Sequence, residues 1–353
     1  VSERLLVVGG GPTGLATAIL GARAGFEAVV IEPEQGTIDK ACGEGLMPAG
    51  VAALARLGVD ARAIGRPFRG IRYVDGPWVA DADFADGTGV GIRRLALHQA
   101  LRAQAEAAGV RWQPGRLKGL SQSGDGVELE LASGAQLTGD WLIGADGLRS
   151  TVRRVLGWDR PPRGPQRIGL RRHFECAPWS DRVEVHWSPS AEAYVTPVSE
   201  NTVGIAMLVT GRVPEGGGQT PFERLLALFP ALQAQLAGAA PASHVRGAGP
   251  FETRVARRAK GRVLLVGDAA GYLDPITGEG LKLGFLAAEA AIEAVLLRSP
   301  ERYERQWRRI TRRYYLATGG LLALTRRPLL RRAMVPVLSR APWIMGGVLR
   351  VLG

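Results

Sequence analysis

The stretch Leu5-Leu6-Val7-Val8-Gly9-Gly10-Gly11-Pro12-Thr13-Gly14 decides how the rest of the chain is read. Its four apolar residues read as a buried strand, the glycines as a tight turn, and the Ala-rich segment from Leu15 to Gly25 as the helix that follows. Ala28-Val29-Val30-Ile31 reads as a second strand ending in Glu32, which completes a βαβ unit. Gly9 supplies the turn. Gly11 lets a pyrophosphate approach the helix N-terminus across Pro12 and Thr13, and Gly14 lets the helix pack closely on the strand. Glu32 accepts from ribose hydroxyls and repels a 2′-phosphate. The unit predicts a dinucleotide held in a Rossmann-like domain.

A second glycine-rich stretch, Gly267 to Lys282 (GDAAGYLDPITGEGLK), follows the apolar run Val263 to Val266 and precedes an Ala-rich helix. Asp268 at the strand end offers an acceptor for sugar hydroxyls. Backbone N–H groups at Gly280, Leu281 and Lys282 favour negative charge on a bound ring system, such as a reduced flavin develops along its N1–C2 carbonyl edge. The loop Asp274-Pro275-Ile276-Thr277-Gly278 flanks that ring.

Between the two stretches lie further candidates. Lys40 to Pro48 is a loop of special residues around Cys42 and Gly43, with Cys42 either a reactive thiol or a small packing residue. Arg93-Arg94 opens a helix through Ala108; either arginine can reach a phosphate, and His98 reads as a half-buried surface histidine. Leu117 to Leu131 and Gln136 to Ile143 alternate as antiparallel strands, the second running into Asp146-Gly147 and the basic helix start at Arg153 and Arg154.

Residues 165–250 change character. Arg167 to Glu175, Arg182 to Trp187, Ala193 to Pro197 and Thr202 to Val209 read as strands, and Phe222 to Leu236 as one amphipathic helix. Glu184 and His186 share a face opposite Val183, Val185 and Trp187; with His173 they are acid/base candidates if that polar face lines a pocket, and solvated residues otherwise. From Pro300 onward the chain is helical, with arginines beside Leu and Trp. That pattern fits a helix lying on anionic lipid and equally a helix packed on its own protein with snorkelling arginines.

The fold class predicted is α/β: a Rossmann-like dinucleotide-binding domain in three pieces (1–70, 91–164 and 251–299), an inserted hairpin region (71–90) near a largely antiparallel substrate domain (165–250), and C-terminal helices (300–353). The chain has 353 residues, 46% hydrophobic and 22% charged, enough for one large core or two smaller ones. Its net charge of +12 is almost all arginine. The arginines are spread along the chain and no basic run interleaves with aromatics, which argues against nucleic acid. Two cysteines make no disulfide framework and no zinc spacing, so no metal is expected and the compartment reads as a reducing cytosol. No signal peptide or membrane span is readable, leaving a cytoplasmic protein or one peripheral at the inner face of the membrane. With no second G-x-G-x-x-G, one dinucleotide is held and any second lacks a Rossmann site.

Four separated pieces, Gly9 to Gly14 with Glu32, Arg94 with Leu97, Gly144 to Ser150, and Gly267-Asp268 through Gly280, resemble the flavoprotein superfamily of single-component aromatic hydroxylases and geranylgeranyl reductases. The resemblance implies FAD, with Arg94 approaching the diphosphate, Asp268 on the ribityl chain, and the backbone after Gly278 against the isoalloxazine. Asp146 and Gly147 go with FAD and the reduced nicotinamide; Cys42, Gly43, Leu117 and Leu281 join the cofactor site. Cys42, Pro275 and Gly278 are the catalytic candidates, and His173, His186, Tyr194 and Pro197 the substrate-pocket candidates.

The branch is mixed. Cys42-Gly43-Glu44-Gly45-Leu46, Gly271 and Glu279 look like the reductases, whereas Tyr194-Val195-Thr196-Pro197 departs from their Tyr-x-Trp-x-Phe-Pro motif. The Trp-x-Trp-x-Ile-Pro segment of flavin halogenases is missing. The resemblance implies first an NAD(P)H-consuming monooxygenase that uses molecular oxygen, through a flavin C4a-hydroperoxide, on a hydrophobic aromatic, indolic or polyketide/isoprenoid metabolite of secondary metabolism. The alternatives are a reductase of isoprenoid C=C bonds, a related dehydrogenase, and a flavin-binding module without turnover.

Overall fold

Leu5, Leu6 and Val7 are buried on both faces of their strand, as a central parallel strand requires. In a computed structural model, which describes residues 2–213, 215 and 218–352, this strand (Arg4–Val8) sits inside a six-stranded sheet. The order is Ala259–Lys260, Val263–Leu265, Trp141–Gly144, Arg4–Val8, Glu27–Glu32, Arg111–Pro114, parallel except for the first edge pair. The helix Pro12–Arg23 begins at the first strand's carboxyl end and packs against Gly280–Leu296 and Arg94–Ala107. Small residues permit this: a Cβ on Gly21 would stand 2.4 Å from Leu5 Cδ2.

An eight-stranded sheet stands over this domain. Its spine is Arg167–Glu175, Thr202–Thr210, Ala191–Ser199 and Val183–Trp187, all antiparallel. The hairpin Gly70–Asp75/Trp78–Asp83 extends it through a parallel pairing with Val183–Trp187. Gly89–Gly91 leaves that hairpin and pairs instead with Gly45–Leu46 and Arg66–Phe68. The outer face of the large sheet, with Phe174, Ile205 and Met207, is covered by two short helices, Pro221–Leu226 and Pro230–Gln235.

Two local expectations are corrected. The helix read from Phe222 to Leu236 is broken, because Pro230 has no N–H to give and leaves Phe229 extended at φ −130° and ψ 70°. The strand read from Gln136 to Ile143 is two. Gln136–Gly139 pairs with Val127–Leu131, and Asp140, whose carboxylate accepts the Arg4 N–H at 2.7 Å, turns Trp141–Gly144 into the parallel sheet.

Three helices close the chain: Pro300–Thr325, Pro328–Arg340 and Pro342–Leu352. Their inner residues Leu322, Met334, Val335, Met345 and Leu349 pack with Val185, Trp187 and Ile276. The C-terminal segment thus walls the space between the two sheets.

Candidate functional site

At the end of the first strand, Gly9 takes φ +111°, and a Cβ there would meet Ala145 O at 2.5 Å. A Cβ on Gly14 would lie 1.9 Å from Gly9 O. Both positions exclude every other residue, so the turn can tuck under the helix. Gly11 is the N-cap and no side chain caps that helix end, which leaves its first N–H groups aimed outward. Glu32 Oε2 accepts the Gly10 N–H at 2.7 Å, fixing the ribose candidate beside the turn.

Arg94 projects to the same place. Its Nη2 would be 3.8 Å from a Cβ on Gly11, the side chain is buried, and Nε has no partner. Burial pulls its pKa below the ordinary arginine value. An unpaired buried guanidinium facing bare helix N–H groups is built for an anion such as a diphosphate. Arg93, the N-cap of its own helix, stays partly exposed.

On the opposite side, Gly267 (φ +59°) packs on Thr13, and Asp268 faces the same space, its pKa raised by burial. Gly271 lies against Tyr315 and Trp307 of the Pro300–Thr325 helix, where a Cβ would come within 3.2 Å of the Tyr315 hydroxyl. Arg153 is buried and donates to Ala269 O at 3.2 Å and to Leu148 O at 2.7 Å, clamping the two strand-end loops together. Asp146 Oδ2 accepts from Thr151 N (2.6 Å) and Val152 N (3.1 Å), so it caps the next helix while its other oxygen is left buried and unpaired.

These elements open on one cavity of about 1240 Å³. Gly11, Pro12, Thr13, Cys42, Gly43, Arg94, Asp146, Gly147, Asp268, Pro275, Gly278, Gly280, Leu281 and Tyr194 line it. Gly9, Gly14 and Glu32 shape the turn behind the wall. Burial pushes the Cys42 thiol up, against the opposing pull of Arg94, so it stays protonated. The Tyr272 hydroxyl on the same wall is held far above its usual range, mainly by burial.

Beyond Cys42 the cavity becomes apolar, walled by Tyr73, Val183, Val185, Leu208, Phe251 and then by Leu321, Leu324, Met334 and Leu338 of the C-terminal helices. Its volume exceeds that of a typical small-ligand pocket, roughly 300–1,000 Å³.

Four expected site residues lie elsewhere. The apolar face of Val183–Trp187 lines the cavity, not the polar one; His186 pairs with Glu184 at 3.0 Å on the outer side, where Trp179 also donates to Glu184. His173 stands on the cavity side of its strand but is walled off behind Glu44, its Nε2 2.6 Å from Glu44 Oε2. Pro197 backs onto Gly91, whose Cβ would strike Pro197 O. Leu117 is buried in the core of the first domain, off the cavity wall. His98 is also corrected: it is buried, not half-exposed, with Nε2 2.9 Å from Gly10 O and its pKa lowered by burial.

Two buried networks escaped the sequence reading. Glu44, at φ +60°, accepts the Arg94 N–H at 2.8 Å and faces His173, pinning the Cys42 loop in a conformation that costs a non-glycine residue about 1 kcal/mol. A lone carboxylate between Gly43 and Gly45 was the available signal. Under the Pro275–Thr277 turn, Arg167 joins Glu192 and Asp274, the latter at 2.9 Å, and Tyr194 donates to Ile276 O at 3.0 Å. No sequence spacing announces that set, because its members come from different strands and a loop.

A glycine-shaped helix start, a buried arginine awaiting an anion, a strand-end aspartate and a large cavity beside them define a flavin-dependent oxidoreductase, and these residues fit FAD. The chain belongs to the FAD binding domain family, which matches residues 3–291. It is 28% identical to a menaquinone reductase of Mycolicibacterium smegmatis over 99% of this chain and 91% of that protein. It is 29% identical to a para-nitrophenol 4-monooxygenase of a Pseudomonas species, over 83% of this chain and 78% of that one. Among solved structures, the flavin-dependent halogenase CmlS shares the fold at a TM-score of 0.82 and 19% identity, covering 98% of this chain and 70% of that one.

Proposed function

We propose that the chain is an NAD(P)H-consuming reductase that saturates a carbon–carbon double bond in a long apolar, isoprenoid-like substrate. One observation carries this reading: the cavity runs from the cofactor end into an apolar chamber, and the acids at the junction, Cys42 and Tyr272, are held protonated by burial with no imidazole on the wall. Alkene saturation needs a hydride and a proton and no base. Bound FAD supplies the hydride, with NAD(P)H oxidised to restore it.

The chain's own residues do the rest. Arg94 and the Pro12–Arg23 helix start hold the diphosphate, and Asp268 takes the ribityl hydroxyls. The Pro275–Gly278 turn, held by Tyr194 and Asp274, sets the floor under the reacting bond. Cys42 holds the proton at its Sγ beside that space. The likeness to a menaquinone reductase, over 99% of this chain, supports a reductase acting on an isoprenoid-bearing molecule.

The second reading is a monooxygenase on a lipophilic ring. It is favoured by the Tyr194-Val195-Thr196-Pro197 segment, which lacks the Trp and Phe of the reductase motif, and by the likeness to a para-nitrophenol 4-monooxygenase. Mass spectrometry separates the two. Polyprenyl quinones and lipophilic phenols are incubated with enzyme and NAD(P)H, with and without oxygen. A gain of two hydrogens under anaerobic conditions that survives re-oxidation of the ring to the quinone, and that fragmentation places in the side chain, supports the reductase; a gain of one oxygen atom, only in air, replaces it with the monooxygenase.

A further inference from the structure

The C-terminal helices have two apolar faces. One packs on the large sheet, as described above. The other has no partner among the described residues: Leu329 is 81% exposed, Trp343 75% and Leu316 66%, with Leu330 and Val337 beside them. Leaving this apolar surface in water is unfavourable by about 25 cal/mol per Å².

The charge around this face is one-sided. After Glu304 the chain has no acidic residue to its end. Arg309, Arg313, Arg327, Arg332 and Arg350 are exposed on these helices, and none makes an ion pair among the described residues. A second copy of the chain is a poor occupant, because a two-fold interface would set these arginines against their own equivalents. An anionic surface complements them.

The cavity opens on the same face. Leu316, Gly320, Trp343 and Val348 are at once exposed and part of the cavity wall. Two of the unpartnered apolar residues, Leu316 and Trp343, therefore stand at an opening of the apolar chamber.

We infer that the outer face of the three C-terminal helices docks on an anionic lipid bilayer, with the cavity mouth against it, so that an apolar molecule enters lengthwise from the membrane without crossing water. Trp343 and Leu329 insert at the interface and the arginines sit among the lipid phosphates. No helix crosses: none of those described is long and apolar enough.

The test is flotation of the FAD-loaded full chain with vesicles of phosphatidylcholine alone or mixed with phosphatidylglycerol. Strong flotation with the mixed vesicles only, weakening as salt is raised, is expected. The pair Arg327→Glu/Arg332→Glu should weaken it by more than about tenfold, at about fivefold per arginine removed. Leu329→Glu/Val337→Glu should abolish it, while visible FAD absorbance and Tm stay at wild-type values in both. Absence of flotation on the mixed vesicles, or flotation indifferent to both pairs of changes, overturns the inference. A dimer in light scattering that Leu329→Glu/Val337→Glu dissolves overturns it too, by giving the face to a second copy. Flotation is scored without turnover, so its failure is distinct from a failure of the proposed reaction.

Discussion

The two ends of the cavity are built on different principles. At the cofactor end the wall is largely backbone: Gly9 and Gly14 stand where any Cβ would collide with a carbonyl oxygen, helix N–H groups are left bare, and one buried guanidinium waits for an anion. At the far end the wall is mostly apolar side chain, collected from the hairpin at Tyr73, the strand at Val183 and Val185, and the helices at Leu321, Leu324 and Met334. Backbone contacts dictate a residue type at a position. An apolar wall dictates only volume, which many sequences satisfy. The first end should break on single small changes, and the second should bend.

The largest effect is expected at Gly14. Alanine there places a methyl group 1.9 Å from Gly9 O, inside backbone that cannot move without unseating the first strand. The loss should exceed about 3 kcal/mol, with FAD absent from the purified protein. Normal flavin absorbance and Tm in Gly14→Ala would end the claim that this turn is sterically dictated.

The seam between the two ends comes next. Glu192 shares Arg167 with Asp274 beneath the Pro275–Thr277 turn, so two carboxylates face one guanidinium in a buried site. Burial pushes Glu192 up from 4.5 to about 7. An acid raised on folding binds its proton more tightly in the native state. Its contribution is therefore intact below pH 4.5 and lost as pH climbs to about 7, on the order of 3 kcal/mol across that window. Glu192→Gln keeps an acceptor for Arg167 without the charge. Urea unfolding from pH 4 to 8 should show the wild type losing stability with rising pH and the variant markedly flatter; parallel curves would refute the buried charge.

Arg94 sharpens the contrast with an opposite pair of signs. Arg94→Met removes an anion partner, so FAD affinity should fall by about 2 kcal/mol, or some thirtyfold. The same change removes an unpaired buried charge, so the Tm of the FAD-free protein should hold or rise. Titration calorimetry with FAD and thermal unfolding of apoprotein read the two signs separately, and a drop in both would make Arg94 a structural residue.

How much of this was legible follows from the same contrast. Gly11 to Thr13, Arg94, Gly147, Asp268, Gly278 and Leu281 line one cavity; glycine spacing and the strand end at Asp268 pointed to part of that grouping, and the family resemblance to the rest. His186 was misplaced because a polar alternation does not say which face of a strand looks inward; His173 faces inward but is screened by Glu44, from a distant loop that no spacing brings to it. Glu184 satisfies His186 on the outer face as well as water would. The Arg167–Glu192–Asp274 set was invisible and the packing of the C-terminal wall only one of two open readings, since the partners of both are brought together by the stacking of the large sheet on the final helices.

The smallest effect belongs to the far wall. Leu324 lines the chamber and is only partly buried, so tryptophan there has room to turn toward the empty side. It intrudes on the chamber without touching the glycine turn, Arg94 or the Arg167 set. FAD content should match wild type, and stability should fall by no more than about 1 kcal/mol, because position 324 is only partly buried where it packs against the cluster of Leu322, Met334 and Val335. What changes is the length of chain the chamber admits. KM for a long polyprenyl quinone should rise about tenfold, the value of one or two misplaced methylenes, while a short-chain analogue is unaffected. Equal losses on long and short chains would place Leu324 at the reacting bond, and the division of the cavity into a backbone end and a side-chain end would have to move.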